Sequence, residues 1–193
     1  MQTTIGTRKE IGEYTYTDML RLRHKVFRER LNWDIPSTTN DPALEEDVFD
    51  TDETVYVIIG KPAIACCRLI PTSQRTMISV LWPDVLKDEL RNNVDWELSR
   101  FAADRDAKQP GLLSAMILHE AYGYAIKVGI QNYIVISTPP AAKVIRRMGI
   151  KTEKLESADT SIVASKTHIT EEVGVLLRSL VSVFDIGIVG KPA

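Results

Sequence analysis

The sequence predicts an α/β fold, an αβα sandwich in which a mixed central sheet carries helices on both faces. Three observations lead there. Short runs rich in β-branched and aromatic residues, near 54–60, 63–72, 96–101 and 132–138, have the length and composition of strands. Between the last two lies Pro110–Val128, a long apolar helical pattern closed by Gly129. The order of elements, a helix, then strands, then strand–helix–strand–helix, requires helices to cover a sheet. No repeat, low-complexity segment or linker interrupts the 193 residues, so one domain spanning 1–193 with a substantial core is expected.

Taken in order, residues 1–14 read as a short strand and turn. Thr17 is a candidate N-cap, and Met19, Leu20, Phe27 and Leu31 recur at helical spacing through about residue 31. Arg23 falls between Leu20 and Phe27 on that apolar face, where an arginine either snorkels to a rim or meets an anion. Asn32–Asp52 has little periodicity, prolines and a concentration of acids. A loop of that length in a compact domain tends to be functional. Two strands follow, Thr54–Gly60 and Ala63–Thr72, joined at Gly60-Lys61-Pro62. In the second, Ile64, Cys66, Arg68 and Ile70 share a face, which again sets an arginine among apolar neighbours. Val80–Arg91 reads as a short helix entered at Trp82-Pro83. After Gly129, Asn132–Thr138 is a buried strand and Pro139-Pro140 opens a helix to Met148. The remainder offers strands near Ile150–Glu156 and Ser161–Lys166 and a helix from about Thr170 to Leu180.

Composition narrows the function classes. With 44% hydrophobic and 26% charged residues and a net charge of −2, the chain is that of a soluble globular protein, without the basic excess of a nucleic-acid binder. No apolar run approaches a membrane span, and Met1–Glu10 lacks a signal-peptide core, so a cytoplasmic protein is expected. Cys66 and Cys67 are adjacent in an apolar run and read as small core residues. His24, His119 and His168 lack ligand spacing, and Asp47–Glu53 lacks the glycine-centred geometry of a calcium loop, so no metal is expected.

The most informative stretch is Trp96-Glu97-Leu98-Ser99-Arg100-Phe101. Alternation puts Glu97, Ser99 and Phe101 on one strand face and Trp96, Leu98 and Arg100 on the other. A carboxylate, a hydroxyl and a guanidinium between two large aromatics are costly to bury unless paired. Alone, the stretch fits an edge strand with one solvated face equally well.

Read together, Arg23-x-x-x-Phe27, Arg30-Leu31-x-Trp33, Asp47-x-x-Asp50, Arg68-Leu69-x-Pro71-Thr72 and Trp96-Glu97-x-Ser99-Arg100-Phe101 resemble the acyl-homoserine-lactone synthases, the LuxI-type autoinducer synthases, over about residues 15–150. The resemblance implies an N-acetyltransferase-like fold. It also implies two substrates, S-adenosylmethionine and an acyl thioester on acyl carrier protein or coenzyme A. Arg23 and Arg68 would pair with the adenosylmethionine carboxylate, and Asp47 and Asp50 would receive its ammonium. Phe27 and Trp33, with Phe101 beside them, would offer π faces to the sulfonium or adenine. Glu97 would be the general base, acting through a water, with Ser99 and Arg100 holding it and its neighbours. Because Arg100 faces away from Glu97 in an ideal strand, a direct pair needs a bulge or a shared third partner.

For the acyl chain, Met77, Trp82, Met116, Leu118, Val135 and Thr138 are pocket candidates, and each also fits a plain core role. Val135 stands where the family often carries a small hydroxyl residue in enzymes accepting 3-oxo chains, so an unsubstituted acyl product is expected; Thr138, three residues on, alternates to the opposite face. Lys143, Arg146, Arg147 and Lys151, with Lys154, would meet the acidic carrier, or form an ordinary solvated face. Two rivals stand beside this reading. An acetyl-coenzyme A N-acetyltransferase would need a glycine-rich loop where the chain has Lys108-Gln109-Pro110-Gly111. A non-catalytic adenosylmethionine- or lipid-binding module would not need Glu97.

Overall fold

The computed structural model describes residues 1–107 and 109–189; Lys108, in the turn just named, lies outside them. Its strands are β1 (Thr3–Thr7), β2 (Val55–Ile59), β3 (Ala65–Pro71), β4 (Asp95–Ala103), β5 (Asn132–Ser137), β6 (Glu153–Lys154) and β7 (Val163–His168), in the sheet order β1-β2-β3-β4-β5-β7-β6. Antiparallel pairs β1–β2, β2–β3, β5–β7 and β6–β7 and the parallel pair β4–β5 make the sheet mixed, as expected. The helices are α1 (Arg8–Ile11), α2 (Glu13–Arg23), α3 (Met77–Leu81), α4 (Pro110–Val128), α5 (Pro139–Arg147) and α6 (Glu171–Val189). By contacts the chain divides into two compact units, one of residues 1–70 and 99–117 and one of residues 71–98 and 118–193.

In the first unit, α2 lays Tyr16, Met19, Leu20 and Leu22 on Tyr56 and Ile58 of β2 and Cys66 of β3. The antiparallel register sets Tyr56 beside Arg68 and Ile58 beside Cys66, so Arg68 points to the same face as this core. The helix starts earlier than Thr17. Gly12, at φ +78, turns the chain out of α1, and α2 begins at Glu13. Nor does it run on regularly to residue 31. From His24 to Arg30 it widens to a π-helix, which keeps Val26 and Phe27 buried.

In the second unit, β4 and β5 pair only over Asp95–Glu97 and Asn132–Ile134. Trp96 and Tyr133 are register partners and face α4: Trp96 meets Tyr124 edge-on at 6.2 Å, and the Tyr133 hydroxyl donates to Ala121 O at 2.7 Å. Glu97 and Ile134, one residue on, face the other way, where α3 lies. Helices thus cover both faces. The expected helix Val80–Arg91 is not one element. Thr76 and Ser79 form a capping box that starts α3 at Met77, and Pro83, which cannot donate a backbone hydrogen bond, ends it at Leu81; a 3-10 turn follows at Asp88–Leu90. The expected strand Ile150–Glu156 shrinks to the two residues of β6, and α6 runs past Leu180 to Val189.

Candidate active site

Arg23 stands in the last turn of α2 and Arg68 in mid-β3, both fully buried. A buried guanidinium is tolerable only when paired. The partners come from the loop before β2. Arg23 donates through Nε to Glu45 and through Nη1 and Nη2 to the two oxygens of Asp50, at 2.8 and 2.9 Å. Arg68 donates from Nη1 to Asp47 at 2.6 Å and to Asp50 at 3.1 Å, and from Nε to Ser99 Oγ at 3.2 Å. Arg100 reaches Glu45 through Nε at 3.2 Å and Asp47 through Nη2. Arg23, Arg68 and Arg100 are thereby matched against Glu45, Asp47 and Asp50.

The local sequence explains the fit. Asp47-Val48-Phe49-Asp50 closes a turn in which Asp50 N donates to Asp47 O, Asp47 N to Asp50 Oδ2 and Phe49 N to Asp47 Oδ1. Burial alone would raise the Asp50 carboxyl, but the guanidiniums of Arg23 and Arg68 outweigh it and hold Asp50 well below the usual carboxylate range. Burial likewise works against the Arg23 charge, and Asp50 and Glu45 reverse the balance, so Arg23 stays cationic. The Tyr56 hydroxyl donates to Asp50 Oδ1 at 3.1 Å, and the Tyr16 hydroxyl to Glu46 at 2.6 Å; burial pushes both phenols up, keeping them protonated donors.

Phe27 and Trp33 stack with centroids 5.3 Å apart, and Trp33 keeps 42% of its surface exposed. The Arg100 guanidinium lies 5.6 Å from the Phe27 ring centre. Phe101 is half-buried on β4. Strict alternation does not hold here. Arg100 has φ +50, a left-handed conformation inside a strand, and with this kink neighbouring Ser99 and Arg100 reach one cluster, Ser99 through the Arg68 guanidinium and Arg100 through Glu45 and Asp47. Asp47 is bonded to Arg68 through one oxygen and to Arg100 through the other. Contrary to expectation, Ser99 and Arg100 are engaged by Arg68, Glu45 and Asp47 and do not hold Glu97, whose hydrogen bond comes from Ile78 N.

Glu97 belongs to the second unit and is fully buried. Its Oε2 accepts a hydrogen bond from Ile78 N at 2.8 Å, while Oε1 has no partner among the described residues. Ile78, Val85, Leu86, Leu90, Ile134 and Ala164 form the core on this face, with Trp82 and Ile136 packed against it. Of the acyl-pocket candidates, Trp82 lies in this cluster and half-buried Met77 opens α3 beside it. Val135 alternates with Ile134 and Ile136 and so stands on the α4 face. Half-buried Leu118 is one turn before Ala121 on α4, Met116 is half-buried on the part of α4 in the first unit, and Thr138 is exposed at the start of α5. Lys143, Arg146, Arg147 and Lys151 are exposed, and Lys151 approaches Glu172 at 3.9 Å.

Sequence pattern does not mark Glu45, although it binds two of the three arginines; the one signal is that cations set among apolar residues require carboxylates to match them. Nothing in the sequence marks the Ile78 backbone N–H. Burial pushes the Cys66 thiol up to about 12 and raises Cys67 as well, so neither is a thiolate at neutral pH. Among the described residues, no group of three or more His, Cys, Asp or Glu could hold a metal ion, and no helix is long and apolar enough to cross a membrane.

A mixed sheet covered by helices defines a class, the acyltransferase fold of the solved acyl-homoserine-lactone synthases. TofI in a ternary complex with an inhibitor and MTA matches with a TM-score of 0.75 and 25% identity, over 93% of this chain and 100% of that one. BjaI, a CoA-dependent synthase solved with SAM and isopentyl-CoA, matches in fold with a TM-score of 0.77 and 21% identity, over 93% and 88%. The acyl-homoserine-lactone synthase of Aeromonas hydrophila is 32% identical over 148 residues, 72% of this chain and 70% of that protein. The model of the autoinducer synthase family matches residues 8–171. The chain belongs to the autoinducer synthase family. It is an enzyme, an acyltransferase of the acyl-homoserine-lactone synthase kind.

Proposed function

We propose that residues 1–193 work as one synthase domain that moves an acyl group from a thioester to the amine of S-adenosylmethionine. The same domain then closes the homoserine lactone and releases 5′-methylthioadenosine, yielding a quorum-sensing signal. The observation that carries this reading is Glu97, a fully buried carboxylate with one oxygen fixed by a backbone N–H and the other unpartnered among the described residues. A buried acceptor left open is unfavourable for stability alone and suited to taking a proton.

In this scheme Glu97, through a water, removes a proton from the substrate ammonium. The freed amine attacks the thioester carbonyl, the C–S bond breaks and the thiol of the carrier leaves. The substrate carboxylate then attacks its own γ-carbon, the C–S⁺ bond breaks and methylthioadenosine departs with that electron pair. The second step needs mainly positioning. Asp47 and Asp50 favour the ammonium, and the exposed face of Trp33 suits the adenine or sulfonium. Arg23 and Arg68, the candidates for the substrate carboxylate, are committed in this structure to Glu45, Asp47 and Asp50 and hold these acids in place.

The acyl donor is acyl carrier protein or coenzyme A, with Lys143, Arg146, Arg147 and Lys151 facing an acidic carrier. No cofactor beyond the substrates, no metal, no nucleic acid and no membrane is required, and the setting is the cytoplasm. The test is incubation of folded protein with S-adenosylmethionine and a panel of acyl-carrier-protein and acyl-coenzyme A donors, with mass spectrometry of the products. Acyl-homoserine lactone and methylthioadenosine in equal amounts are expected; the absence of lactone with every donor would sink the reading.

A further inference from the structure

The hydrogen bond that fixes Glu97 comes from α3, a helix of five residues. A helix this short has no stability of its own, so anchors at its ends set its position. The N-terminal anchor is the capping box of Thr76 and Ser79. The C-terminal anchor is Trp82, whose backbone N donates to Ile78 O at 2.9 Å and whose ring packs in one core with Ile78 and Ile134.

The indole is itself held from outside. Its Nε1 donates to Asp159 Oδ2 at 2.9 Å, at the tip of the β6–β7 hairpin. Asp159 is organised for that purpose. Its Oδ1 accepts from the N and Oγ of Ser161, at 2.8 and 2.6 Å, and its own N donates to Ser157 Oγ at 3.2 Å. The bonds from Ser161 and Trp82 hold its carboxyl below the usual carboxylate range, so it accepts as an anion at neutral pH. A second tie runs alongside, from Ala158 N to Asp84 Oδ2 at 2.6 Å. The hairpin tip therefore grips the α3 exit by two hydrogen bonds.

We propose that Asp159 is a positioning residue for the acyl-transfer step: through the Trp82 indole it sets the place of α3, and with it the Ile78 N–H that orients Glu97. This rests on the assignment of Glu97 as the base. The cluster around Arg23, Arg68 and Arg100 contains none of these groups, so the effect belongs to turnover and not to adenosylmethionine binding.

The test measures kcat and the KM for S-adenosylmethionine at saturating octanoyl donor, on carrier protein or coenzyme A, whichever supports turnover. Asp159→Ala is expected to lower kcat about tenfold, the scale of a small misplacement, with KM within about twofold of wild type. Trp82→Phe, which keeps a ring and removes the N–H, is expected to do the same, and the double variant no more than either. Asp159→Asn keeps a single acceptor oxygen for the two sets of donors, the indole and Ser161, and is expected to lower kcat by less than Asp159→Ala. A folded Asp159→Ala with normal kcat, a matching rise in KM, or additive single effects would overturn the proposal; should Asp159→Ala not fold, Trp82→Phe decides alone. Glu97→Gln separates the two readings. If it keeps turnover, the base assignment fails and the proposal with it; if it is inactive while Asp159→Ala is normal, only the positioning role falls.

Discussion

Asp50 is the carboxylate on which two buried guanidiniums depend, and its chemistry sets a pH signature. Its folded-state pKa lies below the unfolded value, so the stability it contributes is complete above about pH 4 and is lost as pH falls towards the folded value. Asp50→Asn removes that contribution and leaves Arg23 and Arg68 short of a counter-charge, at a cost of about 3–5 kcal/mol at pH 7. Urea unfolding between pH 7 and pH 3 is expected to show the wild type losing stability more steeply than the variant. Equal slopes would mean that Asp50 is not held as an anion. The arginines were legible from the sequence because each interrupts an apolar pattern. Their partners were legible only in part. Four acids sit at 45, 46, 47 and 50, and Glu46 goes to Tyr16 and Arg8 instead, a choice made by the path of the loop and not by residue type.

Element by element, what departs from the sequence reading departs where the backbone breaks its own period. Alternation assigned Arg100 to the face opposite Ser99, and the left-handed turn at Arg100 cancels that assignment. Period 3.6 likewise cannot announce the π-helical stretch that follows Arg23, because the apolar spacing through Phe27 suits either geometry. Helix α3 was shifted because Pro83 read as a first-turn residue when it is the stop. The strained Arg100 makes a testable point. A non-glycine residue at this φ costs roughly 1–2 kcal/mol, and glycine removes most of that. Arg100→Gly and Arg100→Ala lose the same ion pairs, so Arg100→Gly is expected to be the more stable of the two by about 1 kcal/mol. Thermal unfolding of the pair decides it, and an Ala variant at least as stable as the Gly variant would show that the kink carries no strain.

For the whole molecule, the order of elements was readable because strand and helix patterns are continuous from Pro110 to Arg147, where the boundaries fall within one residue of those expected. The distribution of charge was readable for the same reason, and it carries the last prediction. The chain has a net charge of −2, yet the stretch from Pro139 to Lys154 holds Lys143, Arg146, Arg147, Lys151 and Lys154 against Glu153 alone. An acidic carrier approaching a chain that is otherwise acid-rich is expected to be steered to this stretch, and steering acts on encounter far more than on chemistry. Lys143 and Arg147 are exposed, and no ion pair ties either to a carboxylate among the described residues. Reversing both, in Lys143→Glu/Arg147→Glu, is expected to raise the KM for an acyl carrier protein about tenfold or more at low salt, leaving kcat and the KM for S-adenosylmethionine unchanged. The wild-type advantage is expected to shrink as ionic strength rises to about 0.5 M, where the screening length falls below about 5 Å. A small acyl-pantetheine donor, which lacks the acidic protein surface, serves as the control and is expected to respond to neither the substitutions nor the salt. If the double variant uses the carrier as well as wild type at low salt, the carrier docks elsewhere; if it loses the pantetheine donor equally, the substitutions act on the fold and not on docking.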